Sequence, residues 1–432
     1  MKHAVIAVTA LAALGLTTAI APAQDAGTGN VIFFHPDGAG ASHWAAARIA
    51  FAGPDGALNW DRLPGIGIYT GHMATRLTGT SHGGATVHAY GVKVHHDSFG
   101  LNRTDEITAA SGQQMSIAEE AHAAGKAVAL VQSGHIAEPG TAVFAASSEE
   151  RGNTSEIAQQ VVESGFPVIM AGGERFLLPA GVEGRHGEGQ REDDLNLIER
   201  AEELGYTVVY DREELMALNP EETDMVLGVF AHNHTFNDQE RERNLIDGLP
   251  TYWETAPTIA EMAEVALSII SRDEDGFFMV IEEEGTDNIP NNMNAYGTLE
   301  ALRRADEATG VLMDFVEARN DTLLLMAADS DASGMHVLSG SEAREGRAVA
   351  ASTRGGGILH GQQGNFGDVF MSAPDKEGVS HPFGITFVGY NDIAGGIVAR
   401  SAGLNHDMLE PLVDNTEIYS IMHRTLFGGQ TN

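Results

Sequence analysis

The sequence contains no cysteine, which excludes both disulfide cross-links and thiolate nucleophiles. A chain of 432 residues without such links must rely on its core and, where it has them, on bound metals. Positive charge is scarce too: 25 Lys and Arg stand against 61 Asp and Glu, a formal net charge of −36. That balance argues against a nucleic-acid groove or an anionic membrane surface as partner. It also repels anionic substrates, so a site for them has to be made locally positive by cations. Beyond the N-terminal segment no apolar run is long enough to span a bilayer. There is no internal repeat and no linker that clearly divides the chain.

What is present begins with "MKHAVIAVTALAALGLTTAIAPAQ", where Lys2 precedes an apolar run that closes on Ala21-Pro22-Ala23. This small-x-small ending predicts a secretory signal over residues 1–23, cut before Gln24, and a periplasmic or secreted product. An uncleaved membrane anchor is the alternative, and the short, Ala- and Thr-rich run disfavours it. Residues 24–432 then read as one elaborated domain, with a hydrophobic content of 43% in the whole chain.

Short apolar runs, "NVIFF", "AVALVQS", "PVIMAGG", "GFFMVIE" and "TLLLMAA", alternate with amphipathic stretches such as "TIAEMAEVALSIISRD". That alternation predicts an α/β fold. Between about 173 and 256 the polar stretches "RHGEGQREDD" and "HNHTFNDQERERN" read as excursions from the sheet, while "NPEETDMVLGVFAHNH" returns to a strand. Three apolar runs end in a carboxylate: Asp37, Glu282 and Asp329. One such residue fits a cap or a turn equally well. Three together point to the crevice beyond the carboxyl ends of parallel strands.

"NVIFFHPDGAG", "SHGGATVHAYGVK" and "APTIAEMAEVALSIISRDEDGFFMVIE", followed in order and spread by "VIMAGGERFLLP", "ERAEELGYTVVYDREEL" and "VDNTEIYSIM", resemble the alkaline phosphatases. The resemblance implies a central, mostly parallel sheet flanked by helices on both faces. It also implies hydrolysis of small-molecule phosphate esters, with a serine that becomes a phosphoserine, two divalent metals flanking the phosphate and a third nearby. A homodimer is one assembly open to such a chain.

Carried over residue by residue, the resemblance puts the nucleophile on Ser81, with Thr80, which stands where the family usually has an aspartate, as the alternative. Free N–H groups and the dipole at a helix start favour a phosphate dianion, although Ser81 fits an ordinary N-cap as well. Asp37 matches a carboxylate bridging two metals. Placing Glu138 on the magnesium-site carboxylate also places Arg151 on the phosphate-clamping arginine, whose planar fork suits phosphate oxygens. In "FFMVIEEEGTDNIPNN" the register that selects Glu282 also selects Asp287, whereas aligning on "EG" selects Glu284 and loses Asp287. Asn291 and Ser330, the latter beside the matching Asp329, stand where the family has histidine ligands. The remaining ligand is expected to be His381, with His360 as rival, and His82 is a further source of nitrogen or a packing residue.

With two imidazoles replaced by oxygen donors, the implied sites lean from zinc toward magnesium, manganese or calcium. A phosphodiesterase or phosphotransferase built on the same cradle stays open. A sulfatase is disfavoured by the lack of a "C/S-x-P-x-R" element around Ser81. The reading from another class is a non-catalytic, acidic divalent-cation-binding protein.

Overall fold

The computed structural model describes residues 27–239, 243–350, 352–353, 355–365 and 367–429, so the expected signal segment lies outside the described residues. The chain forms β1 (Asn30–His35), β2 (Gly65–Thr70), β3 (Ala127–His135), β4 (Val168–Gly172), β5 (Thr207–Val209), β6 (Val226–Val229), β7 (Phe277–Glu282) and β8 (Thr322–Met326). After these come β9 (His336–Ser339), β10 (Leu359–Gly361), β11 (Gly364–Asn365), β12 (Phe370–Met371) and β13 (Pro382–Thr386), then β14 (Ile397–Gly403) and β15 (Leu412–Asp414). The main sheet has the order β15-β2-β14-β8-β1-β7-β3-β4-β6-β5.

From β8 to β5 every neighbouring pair is parallel. The five apolar runs are five contiguous members of this block, β8-β1-β7-β3-β4. A parallel strand covered on both faces has no polar face, which is why these runs are continuous rather than alternating. β1 shows the consequence: Val31 and Phe33 enter one core, Ile32 and Phe34 the other, all fully buried. Helices cover both faces. The amphipathic stretch before β7 folds as the helix Ile259–Ile270, started by a capping box between Thr258 and Glu261.

Two features differ from the sequence reading. The region read as polar excursions supplies not only β6, the strand expected in "NPEETDMVLGVFAHNH", but also β5, which forms the edge of the sheet. Residues 336–386 form a second, antiparallel sheet from β9 to β13. Its strands are two to five residues long, too short for an apolar period to stand out.

Candidate active site

Because β8, β1, β7 and β3 are parallel neighbours, their carboxyl ends open on one edge of the sheet. There the chain presents Asp329 after β8, Asp37 after β1, Glu282 as the last residue of β7, and Glu138 after β3. His35 pairs with Glu282 across β1 and β7, and Gln132 pairs with it from β3, which fixes the register of the group.

The run of three glutamates divides where the strand ends, since Glu282 is the last residue of β7 and Glu284 already has helical backbone angles as the N-cap of the helix Gly285–Asn291. Glu283 turns to the opposite side and receives a buried hydrogen bond from Arg304 at 3.1 Å. Glu282 and Glu284 both face the crevice: His35, Asp37 and Glu282 form one tight group, and Asp37, Glu284 and Asp287 another. Two registers that exclude each other in the sequence therefore converge in space.

Ser81 is the first residue of the helix Ser81–Tyr90, and capping falls to Thr80. The Thr80 hydroxyl accepts from the Gly83 N–H at 3.2 Å and donates to the His96 carbonyl at 2.6 Å. Its roles are filled, and Ser81 is left to line a cavity of about 480 Å³ together with Arg151, Asp287, Asn291, Asp392 and Arg76. Asp329 reaches the helix because residue 84 is glycine: a Cβ there would lie 2.4 Å from the Asp329 Cβ. Arg151 donates to Glu138 at 2.9 Å, and its side chain remains 42% exposed.

Asn291 sits between two carboxylates, its amide nitrogen 3.0 Å from Asp287 and 2.9 Å from Asp392, while Ser333 donates to its carbonyl oxygen at 2.9 Å. Asp392 was not foreseen. It comes from the loop "GYNDIAGG" between β13 and β14 and lines the same cavity as Ser81. His381 is a correction. It bonds to Asp375 at 2.7 Å, is half exposed, and belongs to the approach to β13 rather than to the crevice. The rival His360 is buried in β10, edge-on to Phe387 at 5.3 Å. His82 turns toward Asp97, 3.8 Å away, and burial together with the Arg151 charge lowers its pKa to about 4.

The missed nitrogen nearest the crevice is His35, whose Nδ1 is 2.8 Å from the Ala327 carbonyl and whose Nε2 is 3.3 Å from Asp37. Its signal was present in "FFHPDG", two residues before the aspartate. Burial opposes ionisation of Asp37, yet the charge and hydrogen bond of His35, with the Ser81 hydroxyl contributing, bring its pKa down to about 2. Its neighbours go the other way. Burial, with Asp37 and Glu138 adding like charge against the pull of His35, pushes Glu282 up to about 8. Burial and like charges also raise Glu284, Asp287 and Asp329, and burial raises Asp392.

Both carboxylate oxygens of Glu282, Glu284 and Asp329 and the Ser330 hydroxyl are buried without a hydrogen-bond partner. Such groups are costly unless something positive meets them, and divalent cations fit that need. Around Ser81 the available donors, Asp287, Asp329, Ser330 and Asp392, are all oxygen. That set favours hard cations.

A family model described as alkaline phosphatase matches residues 28–359. The alkaline phosphatase of Gadus morhua is 26% identical over 338 residues, which cover 69% of this chain and 68% of that one. The solved alkaline phosphatase of Thermus thermophilus superposes with a TM-score of 0.73 at 21% identity, covering 98% of this chain and 97% of its own. A mutant alkaline phosphatase from the Antarctic bacterium TAB5, solved with magnesium bound in its M3 site, superposes with a TM-score of 0.69 at 18% identity, covering 94% of this chain and all of its own. No helix among the described residues is long and apolar enough to cross a membrane.

Proposed function

Because this chain belongs to the alkaline phosphatase family, we propose that it hydrolyses phosphate monoesters through a phosphoserine on Ser81. Family and fold support phosphatase activity and the use of divalent metals. The observation that carries the finer reading is the division of labour at the helix start: Thr80 caps, and the buried Ser81 hydroxyl lies near Asp37 in the cavity that Arg151 lines.

In this reading Arg151 holds two phosphate oxygens from the solvent side, and the N–H groups of the first helical turn face the same anion. Ser81 Oγ attacks phosphorus as the ester P–O bond breaks, and the alcohol leaves with a proton. Water then attacks the phosphoserine, the Oγ–P bond breaks, and Ser81 regains its proton as inorganic phosphate departs. Two to three divalent cations, held by Asp37, Asp329 and Ser330, by Asp287, Asn291 and Asp392, and by Asp37 with Glu282 and Glu284, would offset charge on the phosphoryl group and acidify the hydroxyl. The oxygen donors favour magnesium, manganese or calcium over zinc at the two positions beside Ser81.

The test is p-nitrophenyl phosphate against bis(p-nitrophenyl) phosphate, with acid quenching and mass spectrometry of the Ser81 peptide. The monoester should be the better substrate, and one phosphoryl group should appear on Ser81. Faster cleavage of the diester would favour a phosphodiesterase, and the phosphoryl group on Thr80 would move the nucleophile. Export is part of the same proposal: cells should release a chain whose mass begins at Gln24.

A further inference from the structure

A second group of ligand-type side chains lies on the same edge of the sheet, on the side away from β8. His135 ends β3, and Glu138 follows it just before the short helix Pro139–Ala142. His234 comes from the loop after β6, and β4 lies between β6 and β3. The loop crosses the end of β4 because residue 172, paired with His135, is glycine: a Cβ there would lie 2.0 Å from the Asn233 carbonyl oxygen.

The two imidazoles converge on one atom. His135 Nε2 and His234 Nε2 are each 3.0 Å from Oε1 of Glu138. The rings stack on each other at 5.1 Å and 18°, with Phe176 edge-on to His135 at 4.8 Å and Phe236 stacked on His234 at 4.9 Å. The backbone is fixed as well. The Thr235 hydroxyl donates to the Ser133 carbonyl at 2.7 Å, and the Trp253 indole N–H donates to the His234 carbonyl at 3.1 Å. Glu138 and His234 are at least nine-tenths buried.

Hydrogen bonding alone uses the two Nε2 atoms and leaves both Nδ1 atoms buried without a hydrogen-bond partner. A cation changes that balance for His234, whose Nδ1 becomes a donor with Asp238 Oδ2 3.8 Å away, in the position of a carboxylate that orients a metal-bound imidazole. One Nε2 from each ring and one carboxylate oxygen, all within 4.8 Å of one another, form the His₂Glu donor set of three-ligand zinc sites, which keep a fourth position open. The Arg151 guanidinium takes the other Glu138 oxygen and leaves Oε1 to the imidazoles.

We propose that His135, Glu138 and His234 bind a divalent transition cation of the zinc or cobalt class, and that this site differs in donor chemistry from the oxygen cradle around Ser81. A dication on Oε1 also fixes Glu138 and, through its second oxygen, the guanidinium that lines the nucleophile cavity. The site does not depend on Ser81 being the nucleophile.

The experiment strips the full-length protein of metal, supplies excess calcium to occupy oxygen sites, and titrates cobalt(II) and then zinc. One equivalent of cobalt should bind with the visible ligand-field bands of a four-coordinate site, and X-ray absorption of the zinc form should show two imidazoles. His135→Gln and His234→Gln should each lose that equivalent. A double His95→Gln/His96→Gln variant should keep it, because the partly buried His95 and His96 with the exposed Asp97 are the rival group. The proposal is overturned if the parent takes up no cobalt or zinc, if a folded His135→Gln/His234→Gln protein takes up as much as the parent, or if the bound zinc has an oxygen-only shell. If the histidine variants fail to fold, the X-ray absorption spectrum of the parent decides alone.

Discussion

Around Ser81, at the ends of β8, β1 and β7, buried carboxylates crowd together with few donors of their own. At the ends of β3 and β6, two imidazoles share a single carboxylate and are held between aromatic rings. Apart from Asp37, which His35 holds low, the first group has its pKa values raised by burial and mutual repulsion, so external positive charge is needed for those carboxylates to ionise fully. The second is packed into shape before any cation arrives. One sheet edge thus offers oxygen on one side and nitrogen on the other, and the preference for a cation is set strand by strand.

The sharpest way to break this comparison is to remove the nucleophile from the oxygen side. Ser81→Ala should lower turnover by roughly 10⁴ or more with little change in the thermal transition. Thr80→Ala should do the reverse, costing about 1 kcal/mol of stability through the lost cap while turnover changes little. Steady-state rates and melts of the two proteins separate these roles, and a larger rate loss for Thr80→Ala would reassign the nucleophile.

The next change makes the oxygen side resemble the nitrogen side. Asn291→His combined with Asp392→His should shift reactivation after chelation toward zinc, on the order of tenfold relative to magnesium or calcium, the size of effect seen when a coordination environment is altered. An unchanged order of metals would mean that these two positions do not face a cation.

Arg151 touches both regions. Arg151→Ala should weaken inhibition by inorganic phosphate about ten- to hundredfold, matching the ~1.5–3 kcal/mol of hydrogen bonds to charged groups, with a smaller effect on turnover. Phosphate inhibition equal to the parent's would remove Arg151 from the anion's contacts. The smallest effect is expected from His381→Ala, which lies outside both regions. It should leave metal content and turnover as they are and change stability by no more than about 0.5 kcal/mol.

That last residue shows where the sequence stops being informative. Asp37, Glu282 and Asp329 were legible because each follows an apolar run whose burial on two faces leaves a visible signature. Asp392 was hidden in a glycine-rich loop, where nothing periodic marks it, and the search for an imidazole passed over a carboxylate. His381 was expected to fill a histidine position that the resemblance implies, yet a partner outside the crevice, the partly buried Asp375, accounts for it. The three glutamates were ambiguous as letters and became clear only where the strand hands over to a helix, with Arg304 taking the middle one. His135 and His234 were not paired in the sequence because the contact depends on a loop passing over Gly172. The second sheet went unread for the same kind of reason: its strands are too short to carry a pattern.

The order of strands also governs when the molecule can assemble. β1 pairs with β7 and β8, and β2 pairs with β14 and β15, so the earliest strands wait for partners made much later. β14 lies between β2 and β8, and the sheet cannot close until residues 397–403 have been synthesised. Such long-range pairings make folding slow and leave strand edges exposed in the meantime. Every carboxylate that approaches Ser81 depends on them. A chain emerging from the ribosome therefore passes through most of its synthesis without a formed reaction centre, and the centre appears only with the complete fold.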